Sequence, residues 1–205
     1  MDQDIKMKRA SYTDKSTDIR EMFAFADPVQ VLGAVETYCG DHYGAMLWNL
    51  WSPAAGKYFR CWNTCVKLAW DVPRGTHTYF VTNLLAGGFL TVRTKLMTRF
   101  VKFFRSLLAS ASPEVALVAN IVGRDMGSTT GINLFQLRQE TGLNPWSVAP
   151  AKVRQVLMER EHSVPETDEW RLPLLEQYLK QRHQLELNVE DTVIINEVID
   201  SLCCS

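Results

Sequence analysis

The chain has 205 residues, 46% of them apolar and 22% charged. That is enough to bury one sizeable core or two small ones, and too apolar for a wholly disordered chain. A net charge of −1 and a pI near 6.4 would argue against a nucleic-acid partner only if charge were evenly spread, and it is not.

The opening decapeptide MDQDIKMKRA carries no apolar signal core. Asp27-Pro28 then places a capping carboxylate before a proline whose fixed φ and missing N–H suit a first helical turn, and Ser52-Pro53 and Ser112-Pro113-Glu114 repeat the device. Gly40, Gly87-Gly88 and Gly142 are the corresponding stop signals, through the positive φ that commonly closes a helix. Between these marks apolar residues recur at three and four, as in Val29, Leu32, Val35, in Val115, Val118, Val122, and in Leu172, Leu175, Tyr178, Leu179. The pattern predicts about eight to ten helices of ordinary length in a mainly α, irregular bundle. The exception is YGAMLWNLW, Tyr43 to Trp51, which reads equally as a short helix or as one or two short buried strands. No stretch reaches the roughly 18 apolar residues of a membrane span, the nearest candidate being Thr76 to Leu90.

Two stretches carry candidate chemistry. In CWNTCVKLAWDVPRGTHTY, Cys61 and Cys65 share a helical face, with His77 beyond the turn. Zinc would need a fourth ligand and a tighter loop spacing, and a thiol nucleophile would need an activating base and an oxyanion site, so packing beside Trp62 and Trp70 is the simpler account. Asp41 and Asp125 read as turn or cap residues, and GSTTG, Gly127 to Gly131, reads as an ordinary loop. No nucleophile elbow, phosphate-binding glycine loop or His-Glu-x-x-His motif occurs. No cofactor or metal site is expected.

The second stretch is TVRTKLMTRFVKFFRSLLAS, Thr91 to Ser110. Leu96, Phe100, Phe103 and Leu107 line one edge of a helix and Met97, Val101, Phe104 and Leu108 the next, while Lys95, Arg99, Lys102 and Arg105 step along the opposite side. From Lys57 to Ser106 the only acid is Asp71, against Lys57, Arg60, Lys67, Arg74, Arg93 and the stripe itself. An ordinary solvated face mixes signs, whereas like charges in a row repel unless a polyanion lies across them. Membrane-surface attachment and docking on an acidic groove fit the same pattern. From Glu159 to Asp200 eleven acids face only Arg160, Arg171, Lys180 and Arg182, so an acidic tail offsets the basic middle. Five cysteines, two of them the adjacent Cys203 and Cys204, do not form a disulfide framework and point to a reducing, intracellular compartment, cytoplasmic or nuclear.

The run from Arg20 to Val81 resembles the segment that follows the polymerase core in reverse transcriptases of animal non-LTR (LINE-type) retrotransposons. Tyr43-Gly44, Trp48, the stretch Cys61 to Trp70 and the turn Val72-Pro73-Arg74 occupy the places of that family's strand, helix and proline-arginine turn. The similarity continues less specifically through TRFVKFFRSLLASASPEVALVANIVGRD and LRQETGLNPW. It implies a palm-exit-like region over 1–52 and a thumb-like basic helical region over 53–110 that grips a template–primer duplex by its backbone; the helix pattern and charge add a helical extension over 111–158 and an acidic helical tail over 159–205, with the boundary in the polar stretch Glu159 to Glu169. The family's Tyr/Phe-Ala-Asp-Asp loop is missing, so the resemblance implies a non-catalytic fragment and no enzyme. Lys67, Arg74, Arg93, Lys95, Arg99, Lys102 and Arg105 are the candidate backbone contacts to a non-specific RNA or DNA duplex. A protein-interaction module meeting a polymerase core or another copy of itself, and a transposon remnant without function, are the alternatives.

Overall fold

The computed structural model describes residues 2–166 except 25, 41, 78 and 81–89, together with 169, 171, 173, 174 and 177. Seven α-helices occur among them: α1 (Asp2–Met22), α2 (Pro28–Cys39), α3 (Pro53–Ala69), α4 (Val92–Leu108), α5 (Pro113–Arg124), α6 (Thr129–Thr141) and α7 (Pro150–His162). No strand occurs among the described residues. The stop at Gly87-Gly88, Asp41, the run from Leu172 to Leu179 apart from residues 173, 174 and 177, and the acidic and cysteine-bearing residues beyond it lie outside the described part.

The local start signals act as their chemistry requires. Asp27 accepts a hydrogen bond from the Val29 amide, Ser52 from that of Ala55 and Ser112 from that of Val115, each followed by proline in the first turn. Thr91 caps α4 in the same way through the Thr94 amide. At the other end Gly142 closes α6 with φ 71°, but Gly40 follows α2 with φ −75°, so the left-handed conformation expected there does not form. Helix α3 ends instead on Asp71, whose φ of 54° lets the Val72 amide reach the Lys67 carbonyl.

Residues 43–51 form neither of the two elements that their sequence allows. Gly44 adopts φ 79° and a single 3₁₀ turn, Ala45–Leu47, follows. The buried side chain of Asn133 on α6 then takes over the role of a partner strand: its Oδ1 accepts from the Leu50 amide at 3.0 Å and its Nδ2 donates to the Trp48 carbonyl at 2.7 Å. The Trp48 indole N–H donates to Asp4 of α1 at 2.7 Å, and its ring meets Tyr58 edge-on, as does Tyr12. A segment whose backbone groups find a distant side chain needs no ladder.

One hydrophobic core runs from Ile5 on α1 to Leu157 on α7. Helix α4 is its hub, touching α3, α5, α7 and the 3₁₀ turn, while α1 lies along α2 and α3. Leu96, Met97, Phe100, Val101 and Phe104 are buried, whereas Phe103, Leu107 and Leu108 sit at the edge of the stripe and are half-buried. Trp62 and Val66 of α3, and Trp70 at its C-cap, are buried with them.

Candidate nucleic-acid interface

The cationic stripe of α4 is not uniform in the fold. Arg93 lies against α6 and α7: its Nη2 donates to both carboxylate oxygens of Glu140 at 2.5 and 2.6 Å, and its Nη1 is 3.7 Å from Glu161. Glu161 also accepts from the hydroxyls of Thr91 and Thr94, both at 2.8 Å. Lys95 is paired with Glu36 of α2, and Arg105 donates from Nη1 to the Val148 carbonyl at 2.7 Å. These three cations are structural ties: acids from other helices neutralise Arg93 and Lys95, and a main-chain carbonyl holds Arg105.

Arg99 and Lys102 differ. Both are exposed, and among the described residues neither has a carboxylate within ion-pair distance. Three positions apart, they line one wall of an open groove of about 540 Å³ together with Phe103 and Ser106, and the segment carrying Gly40, His42, Tyr43 and Met46 forms the other wall. Tyr43 is 85% exposed, which places an aromatic face beside two cations at the groove mouth. Met46 and Phe103 add apolar surface beside them, a combination suited to a ligand with both anionic and planar apolar parts.

The remaining two candidates sit elsewhere. Lys67 Nζ donates to the Arg74 carbonyl at 3.0 Å, tying the turn back onto α3, and partial burial lowers the pKa of its ammonium. The Thr76 amide closes the turn on the Pro73 carbonyl at 3.0 Å, which leaves the Arg74 side chain exposed. Of the seven candidates, then, the fold brings only Arg99 and Lys102 to a common solvent-facing site.

A second cationic groove escaped the sequence reading. Arg20 of α1 faces Lys57 and Arg60 of α3 across a cleft of about 180 Å³ that also carries Thr13, Thr17 and Thr64 and no carboxylate. Lys57 and Arg60 are visible in the sequence at a helical spacing of three, but Arg20 reaches them only through the packing of α1 on α3. At the floor of this cleft Cys65 is buried, and burial raises its thiol pKa to about 11, the nearby Arg20 opposing the shift. Cys61 is half-buried, accepts weakly from the Thr13 hydroxyl and donates to the Lys57 carbonyl, while His77 stacks on Tyr79 at 5.0 Å. Among the described residues no three His, Cys, Asp or Glu side chains converge as a metal site would require. Asp125 accepts from the Gly127 amide at 2.8 Å as a turn residue, and Ser128 within GSTTG is the N-cap of α6, not part of an open loop.

No family model, no curated protein and no solved structure matches this chain. Among the described residues no helix is long and apolar enough to cross a membrane.

Proposed function

We propose that the chain is a non-catalytic, thumb-like carboxyl-terminal segment of a non-LTR retrotransposon reverse transcriptase, and that it holds nucleic-acid backbone against α4. The observation that carries the reading is the exposure of Arg99 and Lys102 on one groove wall while their neighbours along the same helix are consumed in internal pairs. Exposed cations on a rigid, buried-faced helix keep a fixed spacing, and phosphates that settle on them release condensed counterions. Such contacts position a duplex without reading its sequence. Tyr43 and Phe103 offer apolar surface to the sugar or to a base where the duplex frays. The sequence holds no Tyr/Phe-Ala-Asp-Asp loop, so the reading assigns the chain no nucleotidyl transfer of its own.

Fluorescence anisotropy with labelled duplexes tests this directly. The full chain is expected to bind two unrelated duplexes with similar affinity, and log K should fall linearly with log salt. Absence of binding at low salt, or a strong preference between the two sequences, would contradict it.

A further inference from the structure

Helix α5 has a conflict built into it. Its inner side is Ala119 and Gly123, packed toward Phe104 and Trp146, and a Cβ at Gly123 would lie 2.6 Å from a Trp146 ring carbon and 2.8 Å from Phe104. That close approach fixes the rotation of the helix, so its largest aliphatic side chains cannot turn inward. Leu117, Val118 and Ile121 are left 61%, 57% and 59% exposed. An apolar row of this kind on a twelve-residue helix marks an interaction surface more often than a solvated face.

We propose that α5 is a homodimer seam, packing antiparallel against α5 of a second copy about a two-fold axis. The argument for a second copy comes from the charges. Glu114, Leu117, Ile121 and Arg124 follow one another at spacings of three, four and three, the a/d pattern of a coiled-coil seam. In an antiparallel pair the a and d layers oppose each other, so Leu117 meets Ile121 of the second copy and Glu114 meets Arg124 of the second copy. Two-fold symmetry makes each contact twice. A parallel pair would set Glu114 against itself and Arg124 against itself, and it would align rather than oppose the two helix dipoles. Both side chains are exposed, and each is already held within its own chain: Ser112 donates to the Glu114 carboxylate at 2.6 Å, and the Arg124 guanidinium carbon lies 5.6 Å over the Trp146 ring centroid. Val118 flanks the seam and continues it into an apolar groove of about 370 Å³ along Leu107, Val115 and Val122, which widens the surface beyond a single helix. The inference is independent of the nucleic-acid reading, since the two share no residue.

Sedimentation velocity on the full chain across a series of micromolar concentrations tests it, with circular dichroism to confirm unchanged helicity. The parent should dimerise, and Leu117→Gln combined with Ile121→Gln should raise the dissociation constant by about tenfold or more. Charge reversal gives the sharper readout. Glu114→Arg alone and Arg124→Glu alone each set like charges across both ends of the seam and should weaken the dimer, whereas an equimolar mixture of the two variants restores two opposite-charge contacts and should dimerise better than either. A chain that stays monomeric throughout, whatever covers α5, overturns the proposal. So does a dimer indifferent to the double glutamine variant, or a mixture no tighter than its components.

Discussion

The two halves of α4 carry the same kind of side chain and use it differently. At the start of the helix, Arg93 and Lys95 are locked to Glu140, Glu161 and Glu36, and they join α4 to α6, α7 and α2. One to two turns later, Arg99 and Lys102 point into an open groove with no described carboxylate in reach. Composition along the helix does not change; what changes is which neighbour packs beside it. A charge contributes to stability where the fold supplies its counter-ion, and stays exposed where the described residues supply none.

The widest break in this picture would come from removing the groove's second wall. Asn133→Ala should cost about 2–4 kcal/mol, because the buried Leu50 amide and Trp48 carbonyl both lose their partner. Chemical denaturation would show a lower midpoint, and duplex affinity should fall as the Gly40–Met46 wall loosens even though no cation has been touched. A midpoint shift without any change in affinity would mean that the wall plays no part in the site.

Burial also holds an ionisable group of the core neutral. Cys65 keeps its proton up to about pH 11 in the folded chain, against about 8.5 for an unfolded thiol. The folded state therefore binds more protons between those values, so the stabilisation is fully present below about pH 8.5 and is lost as pH rises to about 11. The loss should amount to about 3 kcal/mol. Tyr12, also pushed upward by burial, adds to the loss at the alkaline end. Cys65→Ala should flatten the alkaline slope; an unchanged slope would show that the thiol titrates normally.

Arg93→Ala comes next in size, at about 1–2 kcal/mol, since its side chain and the two glutamates are only 15–29% exposed. The hydroxyls of Thr91 and Thr94 still hold Glu161, which keeps the loss below that of a fully orphaned charge. A loss no greater than that of Arg99→Ala would erase the distinction between the two halves of the helix.

What was legible in the sequence follows the same division between near and far. The caps at Asp27, Ser52 and Ser112 are satisfied within three residues, so residue order alone places those helix starts. The burial of Leu96, Phe100 and Phe104 follows from spacing on a single helix. The segment 43–51 reads equally as helix or strand because its decisive partner, Asn133, lies 83 to 85 residues away. The cation stripe read as continuous because Glu36, Glu140 and Glu161 come from three other helices. Arg20 joined Lys57 and Arg60 only through the docking of α1, whose buried residues, Ile5, Tyr12, Ser16 and Ile19, are too sparse to announce an amphipathic helix.

The most direct test removes two positive charges from either half of α4 and compares salt dependence. Arg99→Gln with Lys102→Gln should make the slope of log K against log salt shallower by about 1.8, about 0.9 per lost phosphate contact. It should weaken binding alike for unrelated duplexes and leave stability within about 0.5 kcal/mol. Arg93→Gln with Lys95→Gln, equal in charge removed, should lower stability and leave the slope where it was. Equal slope changes in the two variants, or none in the first, would contradict the assignment of Arg99 and Lys102 as the backbone contacts.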